Sequence, residues 1–466
     1  MSLGAILAAT ALAYSASIHA GVGIYDITGP AQDVNLMGMA NPSQKAAGIL
    51  QRLRARAFTF QEGAGAPPIA FVSLDAGMGS YVLKNRVVAA LDHLLPGVYS
   101  DASIAISGTH THSGPSGFLQ NTIFQLAGTG WVPETITAFV NGTVQAILRA
   151  HHSMAPASLT LSSREVHNAS INRSPSAYLA NPAAERAEYG DNVDLEMIQL
   201  QVLSASAGEA RGVLNWFPVH GTSLNNTNHL LSGDNKGHAS YIVERQQNGP
   251  TSEAARPGNG PFVAAFAATN LGDVSPNTRG AICQGGPRQG EPCDTLHSTC
   301  PNALGMQRNE LCFASGPGSD MYDSSRIIAE RQAKVSAALL ATANQAAPLT
   351  GRVRAVHTYA DFGGGLDVHA PNGTKLGTTC AAALGQSFAA GTTDGPGMFD
   401  FNQAGTSANP LFKVRATGCR LGSDTVMAVA CPVWIIPSTP NAATTSSTTT
   451  STAVPSFTLT STYLSQ

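Results

Sequence analysis

Three short apolar runs in this chain each end in a turn that carries chemically reactive side chains, and that recurrence constrains the fold most tightly. Ala102-Ser103-Ile104-Ala105-Ile106 leads into Ser107-Gly108-Thr109-His110-Thr111-His112-Ser113-Gly114-Pro115. Trp216-Phe217-Pro218-Val219 leads into His220-Gly221-Thr222, and Phe266-Ala267-Ala268-Thr269 leads into Asn270-Leu271-Gly272-Asp273-Val274-Ser275-Pro276-Asn277. Open α/β sheets build their sites at strand termini of this kind. In an extended segment His110 and His112 project to one face, because side chains alternate with period two. Two imidazoles on one rim suit a borderline metal such as zinc, or a metal ligand beside an acid–base partner. Each motif alone also reads as a polar strand end, a capped core histidine or an ordinary Ser-Pro turn.

Elsewhere strands and helices alternate. Ile69–Leu74 reads as a strand, and Ser80 caps a helix with an apolar stripe at Val82, Val87, Ala90, Leu91 and Leu94. A helix is expected over 134–151, with Pro133 at its entrance. Strands are expected over 195–203, 212–219 and 261–267, with helices near 237–247 and over 321–343. In the last of these, Arg326, Glu330, Arg331 and Lys334 form a solvated face opposite Ile327, Ile328 and Leu339. The class is α/β: a mixed sheet with helices on both faces and long loops. No internal repeat of fixed period is visible. A net charge of −3 and the lack of a Lys/Arg stripe argue against nucleic-acid binding.

Residues 1–20 read as an export signal, with small-residue cleavage positions at Ser15-Ala16-Ser17 or Ile18-His19-Ala20, although no basic residue precedes the apolar run. Asn141, Asn168, Asn172, Asn225 and Asn372 stand in glycosylation acceptor triplets, which export permits. All seven cysteines lie in the second half of the chain. Cys283, Cys293, Cys300 and Cys312 sit in a Gly/Pro-rich stretch without the Cys-x-x-Cys hooks of a structural zinc, so two crosslinks of open connectivity are expected. Cys380, Cys419 and Cys431 leave one thiol over.

Longer matches carry a resemblance. They are Gly21-Val22-Gly23-Ile24-Tyr25-Asp26-Ile27-Thr28-Gly29-Pro30, Asn35 to Pro42, Arg52 to Phe58, the Thr109–His112 run, Asn172-Arg173-Ser174-Pro175, Ser232 to Gly237, Asn270 to Asn277 and Phe388 to Gly397. In this order over about 21–415 they resemble the neutral/alkaline ceramidases, zinc amidohydrolases that cleave the N-acyl bond of ceramide. The resemblance implies His110 and His220 as zinc ligands, His112 and Arg173 as contacts of the scissile amide and its oxyanion, and Ser275 as the residue usually taken as nucleophile. It further implies ceramide and related N-acylsphingoid lipids as substrates, met at a membrane surface or micelle along the secretory pathway or outside the cell.

The departures carry expectations too. The family completes its zinc site with a glutamate and a tyrosine in segments that do not occur here, and its C-terminal β-sandwich is expected to be absent. Residues 21–415 are then an incomplete catalytic domain, and 416–466, rich in Ser and Thr, a disordered tail. Two imidazoles without a carboxylate predict weak zinc binding and little amidase activity.

Overall fold

The strand over residues 54–62 shows why the molecule is layered. Ala55 and Ala57 are buried on one face and Phe58 and Phe60 on the other, and a strand apolar on both faces needs cover on each side. Each buried phenylalanine contributes roughly 1.5–3 kcal/mol. The computed structural model describes residues 18–63, 65–249, 251, 256, 258–294, 296–361, 366–379, 390–397 and 458–465.

In chain order the first half runs β1 (Ile18–Asp26), β2 (Arg54–Glu62), β3 (Ile69–Leu74), α1 (Tyr81–Leu94), β4 (Ile104–Gly108) and α2 (Pro133–His152). The second half repeats that order with β5 (Ala155–Glu165), β6 (Glu196–Ser204), β7 (Ala210–Trp216), α3 (Asp234–Asn248), β8 (Val263–Ala267) and α4 (Met321–Ala341). The sheet order is β8-β7-β6-β5-β1-β2-β3-β4. Neighbours are antiparallel except for β3–β4 and β7–β8, the two pairs joined through a crossover helix. The repeat is one of topology and leaves no periodic trace in the residues.

The sheet is mixed and flanked by helices on both outer sides, as expected, and it is also folded on itself. β1 and β5 pair only at His19↔Pro156 and Ala20↔Ala155, so the halves part beyond that point. Val22, Phe58 and Phe71 of one half then pack against Leu159, Leu200, Leu214 and Val263 of the other. Helices α1 and α2 cover the outer face of the first half, and α3 and α4 that of the second. Arg56 crosses this seam, with Nη1 3.0 Å from Asp75 Oδ2 and Nε 2.7 Å from Glu244 Oε1 on α3. Burial opposes its charge, but Glu244 and Asp75 outweigh that and hold the guanidinium above its ordinary range.

Local signals fare well where chemistry specifies them. Ser80 Oγ accepts the Leu83 N–H at 3.3 Å, and Pro133 opens α2. In α1, Leu83, Val87 and Leu91 carry the buried stripe, whereas Leu94, expected within it, lies 51 % exposed in the last turn. β1 runs from Ile18, inside the segment assigned to export, so of the two cleavage positions only Ser15-Ala16-Ser17 leaves the described strand whole. Residues 416–457 of the Ser/Thr-rich tail lie outside the described residues, while Thr458–Ser465 forms a strand parallel to Arg354–Asp361. No helix among the described residues is long and apolar enough to cross a membrane.

Candidate metal centre

Backbone contacts between the two halves bring the histidines together. Thr111 pairs in parallel with Gly221, and the His112 N–H donates to the Gly221 carbonyl at 3.0 Å. Only glycine permits this approach, because a Cβ at Gly221 would lie 2.5 Å from the His110 carbonyl oxygen. The segment carrying His110 is not a continued strand. β4 ends at Gly108, and His110 adopts the left-handed conformation with φ 65°. The convergence expected from a pleat is reached instead through a strained turn, of the kind that clusters at functional sites.

The ring centroids of His110 and His220 lie 4.6 Å apart, those of His110 and His112 4.8 Å, and those of His112 and His220 5.4 Å. One ring nitrogen from each lies within 4.8 Å of the others, a group able to hold a metal ion. His110 Nδ1 donates to the Gly77 carbonyl at 2.6 Å, and His220 Nδ1 to the Leu271 carbonyl at 2.7 Å. Both bonds fix the tautomer whose Nε2 lone pair points inward, the orientation a metal requires. His112 differs. Its Nδ1 meets the Met39 sulfur at 3.5 Å, and its Nε2 lies 3.2 Å from His110 Nε2.

Burial lowers the pKa of all three imidazoles, furthest for His112 and His220, and the Arg173 charge adds to the effect. A coordinating imidazole must be neutral, so the environment favours the ligating form. The donor set therefore fits a metal.

Beside the histidines lies a polar cluster. Ser275, expected to expose its hydroxyl, is fully buried. The reason is Asp394, in the turn Gly391-Thr392-Thr393-Asp394-Gly395-Pro396-Gly397: its Oδ1 accepts the Ser275 hydroxyl at 2.6 Å and Asn277 Nδ2 at 2.8 Å. Its Oδ2 accepts the Thr222 hydroxyl at 3.1 Å and faces Arg173 Nη1 at 3.4 Å. Arg173 Nε also donates to the Gly272 carbonyl at 3.1 Å. The sequence pointed to Ser275 and Arg173 and, within the matching segment Phe388 to Gly397, held Asp394 without assigning it a role, because an acidic residue in a Gly/Pro turn has neither periodicity nor a strand to show what it meets.

The cysteine cluster forms two crosslinks, Cys283–Cys300 and Cys293–Cys312. They staple the hairpin of Gly280–Cys283 and Cys312–Ser315. From it, the Ala314 N–H donates to the Thr393 carbonyl at 2.8 Å, so the stapled region grips the turn that bears Asp394. Cys380, Cys419 and Cys431 lie outside the described residues.

Known proteins resemble this chain over most of its length. The family described as neutral/alkaline non-lysosomal ceramidase, N-terminal, matches residues 18–444. Neutral ceramidase B of Dictyostelium discoideum is 45% identical over 403 residues, covering 85% of this chain and 54% of that protein. Neutral ceramidase of Drosophila melanogaster is 42% identical over 406 residues, covering 85% and 55%. A solved structure described as a ceramidase complexed with C2 superposes with a TM-score of 0.65 at 33% identity, covering 89% of this chain and 57% of its own. The neutral ceramidase of Pseudomonas aeruginosa superposes with a TM-score of 0.63 at 34% identity, covering 80% and 52%. The chain thus spans a little over half the length of these relatives.

Proposed function

The chain belongs to the neutral/alkaline ceramidase family, and from that premise we propose that it hydrolyses the N-acyl amide of ceramide and related N-acylsphingoid lipids, with zinc held by His110 and His220. The observation that carries the reading is the convergence of these two rings, each with Nδ1–H anchored on a carbonyl. A zinc ion there supplies Lewis acidity toward the amide carbonyl and toward water at neutral pH.

The chain's own residues do the rest. His112, lacking a carbonyl anchor on Nδ1, is free to carry its proton on Nε2 and donate it to the oxygen of the scissile carbonyl as charge develops. Arg173, with its side chain 12% exposed, adds a cation in a site poor in water. Two roles were open for Ser275, and its hydrogen bonds favour one. Its proton is committed to Asp394 and one lone pair accepts the Asn277 N–H at 3.0 Å, which leaves an acceptor for a sphingoid hydroxyl. Ser275 thus anchors substrate. In the net reaction water adds to the acyl carbon, the C–N bond breaks and the amine leaves with a proton, giving a fatty acid and a sphingoid base.

A second reading, a ceramidase-like fragment that binds lipid without turning it over, draws on the histidine group itself, which among the described residues contains no carboxylate. Labelled ceramide separates the two. Release of fatty acid that a chelator abolishes and added zinc restores supports the enzyme; retention of lipid without release supports the fragment. Passage through the secretory pathway to a lipid surface belongs to the same proposal, supported by the two disulfides and by the exposed acceptor asparagines Asn141, Asn168 and Asn372.

A further inference from the structure

Asp394 is the carboxylate that joins the candidate substrate-contacting side chains beside the histidines. It is 2% exposed and receives four donors from three parts of the chain: Ser275 and Asn277 on Oδ1, Thr222 and Arg173 on Oδ2. Two of these, Ser275 and Arg173, are side chains assigned above to the substrate. The other two, Thr222 and Asn277, tie it to the turns that follow His220 and Ser275. Asn277 Nδ2 donates to the Thr222 carbonyl as well, at 3.2 Å, closing the cluster.

Buried donors of this kind need an acceptor, and one carboxylate here satisfies them together. Its two oxygens divide the work: Oδ1 sets the hydroxyl and Oδ2 sets the guanidinium. The turn that presents it is itself fixed, by its own pairing of Gly391 with Pro396 and Thr392 with Gly395. From the disulfide-stapled region, Ala314 N–H holds the Thr393 carbonyl and Asn309 Nδ2 holds the Gly397 carbonyl at 2.9 Å. A rigid support of this sort is what places a reactive arrangement to within a fraction of an ångström.

We infer that Asp394 is the positioning residue of the site, fixing the Ser275 hydroxyl and the Arg173 guanidinium relative to each other and to the histidines. It acts through these two side chains and makes no contact of its own with substrate. The inference rests on the amidase reading for its kinetic consequence, while its structural consequence stands without it.

The test uses Asp394→Asn, Ser275→Ala and the double variant in the full chain, with a short-chain fluorescent ceramide as probe. The amide of Asn replaces one acceptor by a donor, so the four-donor arrangement cannot persist. Asp394→Asn is expected to lower kcat/KM by about 100-fold, the scale of losing one oriented transition-state donor. Because part of that loss passes through Ser275, the double variant should lose less than the product of the two single losses. Multiplicative losses, or an Asp394→Asn protein as active as wild type, would overturn the inference. A crystal structure of Asp394→Asn provides the reading that needs no turnover. The Ser275 and Arg173 side chains should leave their places while His110 and His220 stay, and unmoved side chains would overturn it. If wild type fails to hydrolyse ceramide, the amidase reading falls and the crystal structure alone decides Asp394. Should Asp394→Asn not fold, Thr222→Val keeps the shape and removes one donor: a lower kcat/KM supports the inference, and an unchanged value overturns it.

Discussion

In the first half of the molecule the parallel pair β3–β4 ends in Asp75 and in the turn bearing His110 and His112. In the second, the pair β7–β8 ends in His220 and in the loop bearing Ser275. The same order of elements delivers strand termini to one seam, and the residues beyond each terminus decide what is delivered. The first half supplies two imidazoles from one turn and spends its other terminus on the buried Arg56–Asp75–Glu244 network. The second spreads its groups over both termini and adds a buried clip: Lys236 Nζ donates to the carbonyls of Phe217 at 2.6 Å and Ala267 at 3.2 Å. Neither half holds a complete site. On the proposed reading function depends on the seam, and the seam is where substitutions should tell.

Breaking the seam directly should have the largest effect. Arg56→Met leaves Asp75 and Glu244 buried without their cation, and removing one partner of such a network costs about 3–5 kcal/mol. Urea unfolding should show a loss of that size, and a loss below about 1 kcal/mol would mean that the halves do not need this contact.

Gly38→Ala sharpens the division of labour among the histidines. A Cβ at Gly38, where φ is 127°, would lie 2.4 Å from His112 Cγ, so the ring must move, while His110 and His220 keep their carbonyl anchors. Turnover should fall by about 10- to 100-fold with zinc content unchanged, the scale of a misplaced donor. Loss of zinc together with turnover would instead make His112 a ligand.

A change of pH tests the clip of the second half. Burial lowers the Lys236 pKa to about 7, and an amine with two N–H donors satisfies both carbonyls without charge. The folded value lies below the ordinary value of about 10.4, so the unfolded chain binds more protons across that window and stability rises with pH there. Wild type should gain stability relative to Lys236→Met from about pH 7 to 10, and parallel pH profiles would contradict the assignment.

Much of this was legible in the residues. The strand over 69–74, the Ser80 cap and the Pro133 entrance are written in local chemistry, and His110, His112, His220, Arg173 and Ser275 do gather at one seam. The rest is long-range. Whether a strand buried on both faces meets a helix or another sheet is decided by the β1–β5 junction of two residue pairs, which no local pattern marks. Likewise Asp394 reaches Ser275 across 119 residues, from a matching segment that carries no local sign of its partner.

Zinc stoichiometry in wild type, His110→Ala and His220→Ala tests the central claim most directly, since the two proposed ligands come from opposite halves of the molecule. Equilibrated with excess zinc, which two imidazoles without a carboxylate require, wild type should hold one ion per chain and each variant close to none, with melting temperatures showing that all three are folded. A folded variant that keeps its zinc would contradict a centre shared across the seam.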